Sequence, residues 1–180
     1  PMLEHAIREI RKRTDRGVVN LNSNASLPKV VARLADAGLD AIRISINSAR
    51  RTQYERYYRP SGYDFDDVVQ SAREMAARDK SVSLNYFVFP GVSDSPAEIE
   101  RLCWLIEQGR VEMIQLRNLN IDPELYLREL GDEAVDDPIG VVALIHQLRA
   151  RFPTLRFGYF NPPRTRQRRA GPLPGAHLLA

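Results

Sequence analysis

Residues 40 to 48, DAIRISINS, alternate apolar and polar side chains with a period of two. That is the repeat of a β-strand, with Ile42, Ile44 and Ile46 on one face and Arg43, Ser45 and Asn47 on the other. Helical patterns flank it. Residues 27 to 37 place Pro28 in a first turn and Gly38 just past the end, and a second pattern runs from about 65 to 78. A strand between helices belongs to a βαβ unit, and strands of such parallel sheets are ordinarily apolar on both faces. The polar row on this strand therefore needs partners that an ordinary buried strand would not.

The same pattern recurs along the chain. A helix is expected over 2 to 14, with Leu3, Ala6, Ile7 and Ile10 at helical spacing, then a strand at 18 to 23 carrying Asn20 and Asn22, with Asn24 next on the same face. After a long connection and the helix at 65 to 78 come a strand at 82 to 89 with Ser83 and Asn85, and a helix opened by the capping box Ser95-Pro96-Ala97-Glu98. The strand at 111 to 118 carries Gln115 and Arg117. A short helix near 123 to 130, a firmer one at 138 to 151 and a last strand at 155 to 160 complete the series. Helices alternating with parallel strands give an α/β fold, either an open doubly wound sheet or a barrel. No glycine-rich phosphate loop follows any strand, which removes the main support for a nucleotide-binding open sheet. Four strands with one polar face each converge most simply on the lumen of a barrel. Unpaired amides there would cost about 1 to 3 kcal/mol per group, so the lumen is expected to hold water or a polar ligand.

Composition bounds the alternatives. The 180 residues, 43% of them hydrophobic, suffice for one domain, expected over 1 to 161, followed by a basic Pro/Arg/Gly tail over 162 to 180 that is expected to be disordered. The net charge is +3, and Arg164, Arg166, Arg168 and Arg169 of the tail account for it. No aromatic residue is interleaved with them to stack on bases, so nucleic acid is not an expected partner. No apolar run approaches the roughly 20 residues of a membrane span and no signal peptide opens the chain, so a cytoplasmic location is expected. Because the first residue is Pro1 and not Met, the sequence is expected either to begin inside a longer gene product or to be an artificially cut piece.

Ligands of barrels gather at the C-terminal ends of the strands. That selects Asn22, Ser23 and Asn24, then Ser45 and Asn47, Asn85, and Gln115, Arg117 and Asn118. These amides and hydroxyls suit an amino acid, ribose or amide group, and Arg117 a carboxylate or phosphate. No catalytic acid or base stands out. His5, His146 and His177 lie away from the strand ends, Asp64, Asp66 and Asp67 read as helix caps, and no histidine spacing supports a metal. Tyr54, Tyr57, Tyr58 and Tyr63 could shield the lumen or pack on the surface.

Read together, VNLNSNA, AGLDAIRISINSARRTQYERYYRPSGYDFDDVV and LNYFVFPGVSDSPAEIERL resemble the middle and later strands of the radical SAM enzymes. Asn22-Ser23-Asn24-Ala25 is similar to the family's Thr-Asn-Gly element. Arg43 to Ser48 is similar to its R-x-S-x-D element, with Asn47 in place of the acid. The resemblance spans roughly residues 1 to 120 and implies an incomplete (βα) TIM-type barrel. It implies that Ser23, Asn24 and Ser45 contact the methionine part of S-adenosylmethionine and Asn47 its ribose, while Asn22, Asn85, Gln115, Arg117 and Asn118 line the lumen or meet a substrate whose identity is open. It also implies a [4Fe-4S] cluster, which this chain alone cannot hold. The family's C-x-x-x-C-x-x-C loop is absent, and a single cysteine, Cys103, falls short of the three that the cluster needs here.

The chain is thus expected to be the C-terminal portion of a radical SAM enzyme that cleaves S-adenosylmethionine to a 5'-deoxyadenosyl radical. Its expected partner is the missing N-terminal part of the same barrel. The alternative is a non-catalytic, degenerate half-barrel that serves as a binding or interaction module. A cluster-free hydrolase or aldolase is disfavoured, because no Lys, Glu or Asp stands among the strand-end residues of the first three strands.

Overall fold

The computed structural model describes residues 2–118, 120–131 and 134–159. The basic tail, with His177, and the end of the last expected strand lie outside the described residues. The elements run α1 (Met2–Arg13), β1 (Asn20–Ser23), α2 (Pro28–Ala37), β2 (Ala41–Ile46), α3 (Arg51–Tyr58), α4 (Phe65–Ala76), β3 (Ser81–Val88), α5 (Pro96–Gly109), β4 (Val111–Asn118), α6 (Pro123–Leu130), α7 (Val141–Arg151) and β5 (Arg156–Phe157). Among the described residues no helix is long and apolar enough to cross a membrane.

All strand pairs are parallel and the order is β1-β2-β3-β4-β5, so each strand lies beside its neighbours in sequence. The helical connections account for the parallel pairing, because parallel strands cannot be joined by a tight turn. Among the described residues, β1 and β5 each have a strand on one side only.

The isoleucine face of β2 packs with Val82, Leu84 and Tyr86 of β3 and Ile114 of β4 into one core. Against it lie Val31 and Leu34 of α2, Phe65, Val68 and Met75 of α4, Leu102 and Ile106 of α5, and Leu144 and Leu148 of α7. The helices therefore cover one face of the sheet, as the period of two demands. Gly38 ends α2 in the left-handed region at φ 115°, its N–H bonded to Ala35 O.

Two elements differ from the expectation. The connection after β2 contains α3, whose sequence RTQYERYY offers no simple apolar stripe. It forms because Tyr54 enters the core beside Tyr58 and Phe65, with ring centroids 4.6 Å and 5.0 Å away. Tyr54 thus joins the core, whereas Tyr57 packs edge-on against Phe87 and Tyr126. The last strand is only two residues long, Arg156–Phe157.

Candidate functional site

The sheet register stacks the polar rows in layers on the face opposite the helices. The lowest holds Asn20, Ala41 and Ser81. Above it Asn22, Arg43, Ser83, Met113 and Arg156 stand side by side, and above those Ser45, Asn85 and Gln115. Phe87 and Arg117 pair at the rim. The strands thus bring Asn22, Ser45, Asn85, Gln115 and Arg117 to one face, as the alternation predicted. Ser23 aligns instead with Ile44 and Leu84 on the helix side, where its hydroxyl accepts the N–H of Ala25 at 3.0 Å. Asn24 follows, exposed, its Oδ1 accepting the N–H of Ser26 at 3.3 Å. Ala25 holds this turn at φ 57°, a left-handed conformation that favours glycine.

The middle of the polar face is shielded from water, while Asn22 and Arg117 at its margins are exposed. Arg43 is 6% exposed and Gln115 8%. Arg43 has Tyr159 across from it: Nη2 donates to the Tyr159 carbonyl at 3.4 Å, and the guanidinium lies 5.6 Å from the ring centroid. Nδ2 of Asn85 donates to Oγ of Ser45 at 3.3 Å. The carbonyl oxygens of the Asn20 and Asn85 side chains are buried and accept no hydrogen bond from the described residues. Buried acceptors of this kind are uncommon and each calls for a partner.

At the C-terminal end of β2 the chain does something the sequence did not foretell. Asn47 is 1% exposed, and its Nδ2 donates to the Gln53 carbonyl at 3.1 Å and to the Tyr126 hydroxyl at 3.4 Å. It therefore joins α3 to α6, which lies against α3 through Arg56, bonded to the Leu130 carbonyl, and through the Arg59–Glu129 ion pair. The Oδ1 of Asn47 is buried and accepts no hydrogen bond from the described residues. Arg117 and Asn118 at the end of β4 are exposed.

Next to Asn47 sits the most heavily bonded carboxylate of the site. Glu98 is fully buried, and it accepts from the Ser48 hydroxyl, the Ala49 N–H at 2.6 Å, the Tyr86 hydroxyl at 2.9 Å and Arg50 Nε at 3.3 Å. Burial pushes its pKa above the ordinary value, while the donors pull it back. Burial, and then the neighbouring Glu98 charge, push the Tyr86 hydroxyl well above its own ordinary range. Sequence reasoning gave Glu98 to a capping box. The Ser95 hydroxyl does accept the Glu98 N–H at 3.3 Å, but the Glu98 side chain turns inward. The signal was its spacing: Glu98 lies four residues before Leu102 and so on the buried stripe of α5.

Cys103 is buried on α5, its thiol pushed up by burial, and among the described residues no three His, Cys, Asp or Glu side chains gather as a metal site.

The model of the Radical SAM superfamily matches residues 1–103. A probable GTP 3',8-cyclase from Metallosphaera sedula is 24% identical over 151 residues, which are 83% of this chain and 47% of that protein. The chain thus spans about half the length of that curated relative. Streptococcus suis SuiB bound to S-adenosylmethionine superposes with a TM-score of 0.52 at 14% identity, over 79% of this chain and 32% of that one. Escherichia coli coproporphyrinogen III oxidase, HemN, a radical SAM enzyme, superposes with a TM-score of 0.54 at 10% identity, over 84% and 36%. These folds mark the five parallel strands as an incomplete TIM-type barrel. With more than half of its length matched by the family model, the chain belongs to the radical SAM superfamily.

Proposed function

We propose that the chain is the C-terminal portion of a radical SAM enzyme and supplies the S-adenosylmethionine and substrate contacts of the barrel, while a preceding segment supplies the cluster. The observation that carries this reading is the polar face itself, where the buried oxygens of Asn47 and Asn85, towards the C-terminal ends of their strands, accept no hydrogen bond from the described residues and suit a ligand rich in amino, amide or hydroxyl groups. Asn24 and Ser45 serve the methionine part and Asn47 the ribose. Ser23 serves by shaping the turn that presents Asn24. Asn22, Asn85, Gln115 and Arg117 face the substrate, and Asn118, which the register turns to the helix side at the end of β4, meets it only at the rim. The cluster, when bound elsewhere in the protein, supplies the electron, and these residues bind and orient.

The edge of β1, which no described strand covers, and the exposed Met2, Leu3 and Ile10 of α1 fit a covering N-terminal segment. The single cysteine favours a second reading, a module that binds S-adenosylmethionine without cleaving it. The test is to produce the whole open reading frame, reconstitute it with iron and sulfide without oxygen, and measure 5'-deoxyadenosine. Cleavage is expected, with the KM for S-adenosylmethionine raised about tenfold in Asn24→Ala and Ser45→Ala, the loss of roughly one hydrogen bond to a charged ligand. An upstream sequence without C-x-x-x-C-x-x-C, or binding without cleavage, would leave the binding module as the correct reading.

A further inference from the structure

We infer that Glu98 is a positioning residue, whose carboxylate fixes the turn after β2 and thereby aims Ser45 and Asn47 at the cofactor. The inference rests on the proposed S-adenosylmethionine site. Three of the four groups that Glu98 accepts from are consecutive: the Ser48 hydroxyl, the Ala49 N–H and the Arg50 Nε. They begin at the residue after Asn47. The fourth, the Tyr86 hydroxyl, belongs to the residue after Asn85. One side chain on α5 thus ties together the ends of β2 and β3, one residue away from a proposed ribose contact and from a polar residue of the lumen.

The bonds run further. Arg50 donates through Nη2 to the Ala134 carbonyl at 2.9 Å, and Ser48 Oγ also accepts the Arg50 N–H at 3.0 Å. The turn is therefore gripped from the α5 side by Glu98 and from the segment after α6 by Ala134.

Helix capping does not account for Glu98. Its side chain does not bond back to Ser95, and the Ser95 hydroxyl already serves the end of α5. Core packing does not account for it either, because an apolar residue on this stripe would avoid the penalty of burying a charge. A carboxylate earns its place where one short side chain must accept several donors at fixed angles, which no apolar residue or single hydroxyl can do. Small errors in the placement of binding groups are costly, since a displacement of about 1 Å can change rates by around a hundredfold.

The test compares two buried carboxylates in the whole, cluster-bearing protein. Asp94 is also fully buried, and it accepts from the N–H groups of Gly91 at 2.6 Å and Gly140 at 2.9 Å, none of them on the β2 turn. Glu98→Gln keeps the shape and removes the charge. It is expected to raise the KM for S-adenosylmethionine about tenfold while kcat for 5'-deoxyadenosine formation stays within about twofold. Asp94→Asn is expected to lower the melting temperature and leave KM within about twofold. Ser48→Ala and Glu98→Gln together are expected to raise KM no more than Glu98→Gln alone, because they act through one turn. A Glu98→Gln KM within twofold of wild type, or an equal rise in Asp94→Asn, overturns this inference alone. Failure of the wild-type protein to cleave S-adenosylmethionine overturns the site reading and this inference with it.

Discussion

Burial and hydrogen bonding pull the Glu98 carboxyl in opposite directions, and burial wins, so its native pKa lies above the ordinary 4.5. Between pH 4.5 and that raised value the native protein keeps a proton that the unfolded chain has released. Stability from this group is therefore full below 4.5 and lost as the pH climbs through the native value. Because other groups cancel, the urea midpoint of wild type minus that of Glu98→Gln is expected to grow as the pH is lowered from about 7 towards 4.5; a flat or shrinking difference would show the carboxyl to be ionised throughout. The same residue marks where sequence reading stops. A Ser-x-x-Glu box is a local pattern, and it located the start of α5 correctly from Ser95. Which way the Glu98 side chain turns depends on Ser48 and Tyr86, and no local pattern brings those residues to it. Asn47 is a similar case. The period of two put it on the polar row, but its bond to Tyr126 joins residues 79 apart in the chain.

Helix ends and strand faces were the readable parts of the molecule, because each is decided within a few residues. Gly38 shows why. It sits at φ 115°, and a Cβ there would come within 2.6 Å of Cγ of Arg11, whose Nε donates to the Gly38 carbonyl at 3.0 Å and whose guanidinium pairs with Asp40. Both the backbone and the neighbour demand glycine. Gly38→Ala is expected to cost about 1 to 3 kcal/mol in urea unfolding, through strain and a displaced Arg11, whereas Gly62→Ala, with open space around it, is expected to cost only the backbone part. The helix α3 was unreadable for the opposite reason. Its residues have middling helix propensity, and what holds it is the seat of Tyr54 among Tyr58 and Phe65, a tertiary contact. The polar rows sit between these cases: alternation revealed them, and register, which alternation cannot supply, arranged them into layers.

For the molecule as a whole, the chief liability is the edge of β1. An edge that no described strand covers, in a chain whose α1 exposes Met2 at 88%, Leu3 at 47% and Ile10 at 43%, invites another strand. The isolated 180-residue chain is expected to self-associate in sedimentation velocity, its mean sedimentation coefficient rising with concentration, and Leu3→Lys with Ile10→Lys is expected to weaken the association. A coefficient independent of concentration would show that α1 already shields the edge. The sequential order of the strands has another consequence, this one for the birth of the protein. Each described strand pairs with the one before it in sequence, after a connection of one or two helices, so none of them waits on the ribosome for a strand made much later. Pairing can then advance strand by strand in the direction of synthesis, with never more than one connection to close at a time and little time for an exposed edge to misassemble.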